Sequence, residues 1–208
     1  MKVGFNMKTN IVIFWVILIS LSSCNFPRYI FNNRGQTTGL DFTKGKWLLN
    51  NIDSPSDVTN QLTKKAKEDF GKYLEGRLFF VYEPKGIILP KNISINPSKT
   101  TLEEIKKGSN FDYFINIRAG KLKNELGVVD IATNHFYTDK NNQSEVIIEV
   151  YDLNLAQIIY SQKVIGTISS TKNNGDVQFY KSSQALILGC YKRLMKDIES
   201  KSIKRLSP

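Results

Sequence analysis

The chain has 208 residues, 41% hydrophobic and 23% charged, with 29 basic and 19 acidic side chains and a formal net charge of +10. That length holds one medium domain, able to bury roughly 70% of its unfolded surface. Two cysteines and one histidine exclude a disulfide-rich scaffold, a cysteine-built zinc site and a multi-histidine metal centre.

Residues 11–21 read IVIFWVILISL, preceded by Lys2 and Lys8, and no acidic residue occurs before Asp41. A positive segment followed by a short apolar run is the pattern of a secretory leader. A membrane-spanning helix needs about 20 apolar residues. This run is shorter and is closed by Ser22, Ser23 and Asn25. Residues 1–23 are therefore expected to be a signal peptide. Either Met1 or Met7 can serve as its start, since Met7-Lys8-Thr9-Asn10 makes a compact charged segment of its own.

The segment Leu21-Ser22-Ser23-Cys24, placed at the end of that run, resembles the lipobox of bacterial lipoproteins. The resemblance implies that Cys24 carries a diacylglyceryl thioether, that cleavage precedes it, and that its new amine is acylated, for instance by palmitate. Asn25, where inner-membrane lipoproteins often carry Asp, implies sorting to the outer membrane. The lack of acids in Asn25-Phe26-Pro27-Arg28 implies the periplasmic face. Loss of residues 1–23 removes Lys2 and Lys8 and no acid, leaving a basic surplus of eight. Such a surplus suits anionic headgroups or cell-wall polymers, and equally serves solubility. Nucleic acid is not an expected partner in that compartment.

Residues 24–44, rich in Asn, Thr and Gly with no clear period, are expected to form a lipidated flexible tether. The folded unit is then expected over 45–208. A strand is predicted over 46–52. Ser54-Pro55-Ser56-Asp57 predicts a helix start with a capping hydroxyl, and Val58, Leu62, Ala66, Phe70, Tyr73 and Leu74 form one apolar stripe ending at Gly76. Residues 77–82 predict a buried strand. Thr100 and Glu103 predict a capping box and a short helix through Lys107, stopped by Gly108. Further strands are predicted over 111–118 and 128–137, then an antiparallel hairpin from 145–151 and 158–168. A last helix is predicted over 177–200, with Phe179, Ser183, Leu186, Ile187, Cys190, Leu194 and Ile198 on one face. The order β-α-β-α-β-β-β-β-α reads as an α+β domain, one mixed sheet with the helices packed on it.

Chemistry-bearing residues are few. His135, with Asp130 and Asp139 nearby, is the candidate for a general base, and an ordinary strand or loop histidine is the simpler expectation. Asp112, Asp152 and Glu149 have no spacing that pairs them for acid/base work, and Asp112 and Asp152 are expected to cap turns or strand ends. Cys190, on the last helix's apolar stripe, is expected to be buried and inert. Lys64, Lys65 and Lys67 on the first helix, and Lys192, Arg193 and Lys196 on the last, make two basic faces able to meet lipid headgroups or an acidic partner. No Gly-rich phosphate loop occurs, and no cofactor or metal is expected.

Residues 111–117 (FDYFINI), then Tyr151-Asp152-Leu153 with Ile158-Ile159-Tyr160-Ser161, and the closing amphipathic helix resemble the small α/β domain of outer-membrane assembly lipoproteins. These are the curli-secretion lipoproteins, the penicillin-binding-protein activators and the N-terminal domain of the Tol-Pal translocation protein. The resemblance implies a non-enzymatic binding or scaffolding part of an envelope complex, with an envelope protein as partner. It is not carried to a pore. Membrane hairpins need strands of about 9–11 residues, and the segments 83–97 and 119–127 are short and do not alternate cleanly. The alternative is a binding module for an anionic lipid, glycolipid or peptidoglycan ligand.

Overall fold

Two apolar periods, near 2 in the strands and 3.6 in the helices, sort the chain into its elements. The computed structural model describes residues 26–33, 35, 37–81, 89, 93–124, 141–169 and 181–204. In chain order they form β1 (Arg28–Asn33), β2 (Trp47–Leu49), α1 (Ser56–Leu74), β3 (Leu78–Phe80), α2 (Lys99–Ser109), β4 (Tyr113–Asn124), β5 (Asn141–Asp152), β6 (Gln157–Ser169) and α3 (Ser183–Lys201). The strands make one sheet in the order β1-β6-β5-β4-β2-β3. β2 is parallel to β3 and β4, as helical crossovers require. The β1, β5 and β6 pairings are antiparallel. This is the expected α+β class with one mixed sheet. From β2 onward the described elements follow the expected order, and the strand predicted over 128–137 lies outside the described residues.

Alternate residues of the central strands point to two layers. Trp47, Leu49, Ile115, Ile117, Val146, Ile148, Val150 and Val164 meet α1 and α3. Leu48, Phe114 and Tyr151 meet Leu102 and Ile105 of α2 on the opposite face. The predicted stripe of α1 is buried at Val58, Leu62, Ala66, Phe70 and Leu74. That of α3 is buried at Ser183, Leu186, Ile187, Cys190, Leu194 and Ile198. The predicted hairpin is β5–β6, paired from Asn141 with Ser169 to Asp152 with Gln157.

Helix ends depart from the sequence reading in detail. Pro55 itself takes the N-cap position of α1 without a side-chain bond. Its carbonyl accepts from Val58 and Thr59, and Ser54 pairs its hydroxyl with that of Thr59 at 2.9 Å instead of capping. The cap of α2 is Ser98, accepting from Thr101 N at 3.1 Å, and not Thr100. Gly108 stays inside α2, which ends at Asn110 in the left-handed region (φ 56°), a conformation Asn adopts readily. α3 begins at Ser183, with Ser182 accepting from Ala185 N at 3.2 Å. Residues 177–180 lie outside the described set.

The tether expected over 24–44 needs the larger correction. Arg28–Asn33 is the sheet's edge strand, with Tyr29 paired to Gly166 and Phe31 to Val164. Leu40 and Phe42 are fully buried. Phe42 stacks with Tyr73, ring centroids 5.4 Å apart. Gly39 provides close approach and not slack, because a Cβ there would lie 1.9 Å from the Lys201 carbonyl oxygen. Burial alternates along β1, with Tyr29 and Phe31 packed on the core and Arg28 and Ile30 exposed, because one side of β1 has a core to cover.

Candidate functional site

The two basic faces differ once their neighbours are in place. On α1, Lys65 faces Asp69 one turn on at 3.5 Å, and Lys64 faces Glu68 at 4.0 Å. Lys67 lies over the Phe80 ring, 3.7 Å from its centroid. Exposed i,i+4 pairs contribute only a few tenths of a kcal/mol each. They nonetheless place a carboxylate beside each of Lys64 and Lys65, so this face is mixed in sign.

On α3 the carboxylate one turn on from Arg193, that of Asp197, is taken by Lys201 instead. Arg193 sits over the ring of Phe31, its guanidinium carbon 5.7 Å from the centroid. Phe31, Arg193, Lys196, Asp197 and Ser200 line a groove of about 190 Å³ between α3 and the edge strand β1. Lys192 is exposed one residue before Arg193. Among the described residues that line the groove, Asp197 is the one acid, and its charge is engaged. One carboxylate oxygen meets Lys201 Nζ at 2.7 Å, and the other accepts from the Tyr160 hydroxyl at 3.2 Å. Of the basic positions singled out in the sequence, Arg193 and Lys196 thus share one site, while Lys64, Lys65 and Lys67 belong to another helix.

The turn of the β5–β6 hairpin carries a second groove, of about 320 Å³, lined by Lys99, Glu103, Lys106, Lys107 and residues 153–156. Asp112 organises it. Its carboxylate accepts from Lys46 N at 3.0 Å, from Lys106 Nζ at 3.2 Å and from Asn154 Nδ2 at 3.3 Å. The backbone bond from Lys46, then the Lys106 and Asn154 contacts, hold this carboxyl below its ordinary range. Asp152 caps the hairpin turn, accepting from Asn154 N at 2.8 Å and Leu155 N at 3.1 Å. Both aspartates therefore do what the sequence reading expected. Leu155 stands 61% exposed at the tip. The turn was legible, but the groove beside it was not, since α2 supplies half of its lining.

The remaining candidates separate cleanly. Glu149 is buried and accepts from the Tyr151 hydroxyl and from Asn96 N at 2.8 Å, so it serves the α2 layer. Cys190 is fully buried, and desolvation pushes its thiol up to about 12, which matches the inert residue expected. Cys24 and His135 lie outside the described residues. Among the described residues, no three His, Cys, Asp or Glu side chains gather to hold a metal ion, and no helix is long and apolar enough to cross a membrane.

No family model matches the chain, and no curated protein matches it. Similar solved structures include the following three bacterial proteins. The PelC dodecamer from Paraburkholderia phytofirmans is 9% identical, with 86% of this chain and 99% of that chain covered and a TM-score of 0.42. Lipoprotein GNA1162 from Neisseria meningitidis is 11% identical, with 74% and 99% covered and a TM-score of 0.38. The LpoB C-terminal domain from Escherichia coli is 12% identical, with 67% and 88% covered and a TM-score of 0.33. At these identities and TM-scores none of them carries an argument about the function of this chain.

Proposed function

We propose that this chain is a lipoprotein of the bacterial outer membrane, anchored through Cys24, facing the periplasm, and acting without catalysis as a binding or scaffolding part of an envelope assembly or transport complex. The observation that carries the reading is the sequence Leu21-Ser22-Ser23-Cys24 at the end of a short apolar leader segment. Several acyl chains hold a protein durably, since each buried CH₂ contributes about 0.8 kcal/mol. The start of β1 at Arg28 adds a geometric consequence. Arg28 is four positions on from Cys24, a reach of about 14 Å at most, so the folded domain rides close to the membrane surface. β6 then runs from Thr167, opposite Arg28, to Gln157 beside the hairpin turn, roughly 33 Å along the strand. Leu155 and its basic groove are thus set away from the anchored end, where a partner protein would meet them.

Two measurements test this reading. Metabolic labelling with a clickable fatty acid should mark the wild-type protein and not Cys24→Ser, whose precursor stays uncleaved. Equal labelling of the variant overturns the anchor. A photo-crosslinking residue at Leu155 should give a discrete adduct with one envelope protein in living cells, and the absence of any adduct there overturns the docking role of the turn.

A further inference from the structure

The groove between α3 and β1 combines charge, shape and position. Phe31 is seven positions on from Cys24, so an anchor at Cys24 holds the groove within about 25 Å of the acyl chains. Phe26, between the anchor position and the groove, is 78% exposed, an apolar side chain able to enter the bilayer boundary. The Arg193 guanidinium carbon lies over the Phe31 ring, 5.7 Å from its centroid. A guanidinium held against a ring in this way still has N–H groups to donate to an anion. Lys196 adds a second cation. Lys201 offsets Asp197, so Arg193, Lys196, Asp197 and Lys201 together carry a surplus of two positive charges. The 190 Å³ of space accommodates one phosphodiester group with part of its alcohol.

We infer that this groove binds the phosphodiester headgroup of an anionic phospholipid in the membrane that anchors the chain, through Arg193 and Lys196. The inference rests on the anchored reading for its lipid source, while the affinity belongs to the groove alone. A headgroup seated there fixes the domain's orientation on the bilayer, which a flexible lipid attachment by itself does not do. Because both cations are exposed, the contact weakens with salt over a Debye length of about 8 Å at physiological ionic strength.

The test is an NMR titration of the full chain in neutral-detergent micelles with dihexanoyl phosphatidylglycerol, its deacylated headgroup glycerophosphoglycerol, inorganic phosphate and dihexanoyl phosphatidylcholine. Signals of Phe31, Arg193, Lys196 and Ser200 should shift saturably with the first two. Arg193→Gln/Lys196→Gln should weaken that binding by about tenfold. Lys64→Gln/Lys65→Gln, with the same loss of charge on α1, should leave it unchanged. No saturable shift with phosphatidylglycerol, or an equal loss in the α1 variant, overturns the groove. Equal affinity for inorganic phosphate or for phosphatidylcholine overturns the anionic-headgroup assignment. The fatty-acid label on Cys24 is read separately: a missing label with intact titration removes the anchor and keeps the groove, and the reverse result removes the groove and keeps the anchor.

Discussion

The Tyr29 hydroxyl fills the space that a side chain on residue 189 would need: a Cβ built on Gly189 lies 2.0 Å from that oxygen. Gly166 opens the other wall, where a Cβ would lie 2.9 Å from the Tyr29 ring. The edge strand is thus docked onto β6 and α3 through one tyrosine in a slot between two glycines. Burial raises the pKa of Tyr29 above the ordinary tyrosine range, with Cys190 adding to the shift.

This contact reverses an ordinary substitution. Gly→Ala inside a helix normally stabilises by about 1 kcal/mol through backbone entropy. Gly189→Ala should instead destabilise by about 1–3 kcal/mol, because the ring has to move from a packed site. Tyr29→Ala in the same chain should remove that clash, so the double variant is less destabilised than the sum of the single ones. Urea melts of the four proteins measure the coupling.

The thiol of Cys190 should be silent in the folded protein. Its pKa, raised to about 12 by burial, leaves almost no thiolate at pH 8. Ellman's reagent should therefore find no rapidly reacting thiol in the native, lipidated chain and one after denaturation in guanidinium. A rapidly reacting native thiol would mean that Cys24 is unmodified or that the α3 interface opens. The Cys24→Ser variant distinguishes the two.

Asp112 should shape the acid limb of stability. Its folded pKa is lowered, so the unfolded chain takes up the proton first. The stabilisation is present above the unfolded value of about 3.9 and is lost as pH falls through the lower folded value. Asp112→Asn should cost roughly 1–2 kcal/mol at pH 7, as expected for partly exposed hydrogen bonds to a charged group. The difference from wild type should shrink towards pH 3. Urea midpoints at pH 7, 5 and 3 check both the sign and the trend.

Helix and hairpin periodicity was legible in the sequence because it is local. The stripes Val58-Leu62-Ala66-Phe70 and Leu186-Cys190-Leu194 repeat within one element, and any core-facing helix must show them. The turn at Asp152 was legible for the same reason, since its carboxylate bonds to backbone two and three residues on. What decided the rest is distant along the chain. Tyr29, Ile30 and Phe31 are apolar in a row, so the sequence does not say which side of β1 is covered, and six residues cannot choose a partner. The slot at Gly166 and Gly189 exists only after β6 and α3 have packed. Nor could lysine counts separate the two basic faces. Lys64 and Lys65 meet carboxylates one turn away on their own helix, whereas Arg193 is set by Phe31 of β1, a contact that tertiary packing alone creates. Local period determined which segments became helix and strand. Long-range burial of one edge strand decided where the domain begins and which cations share a groove.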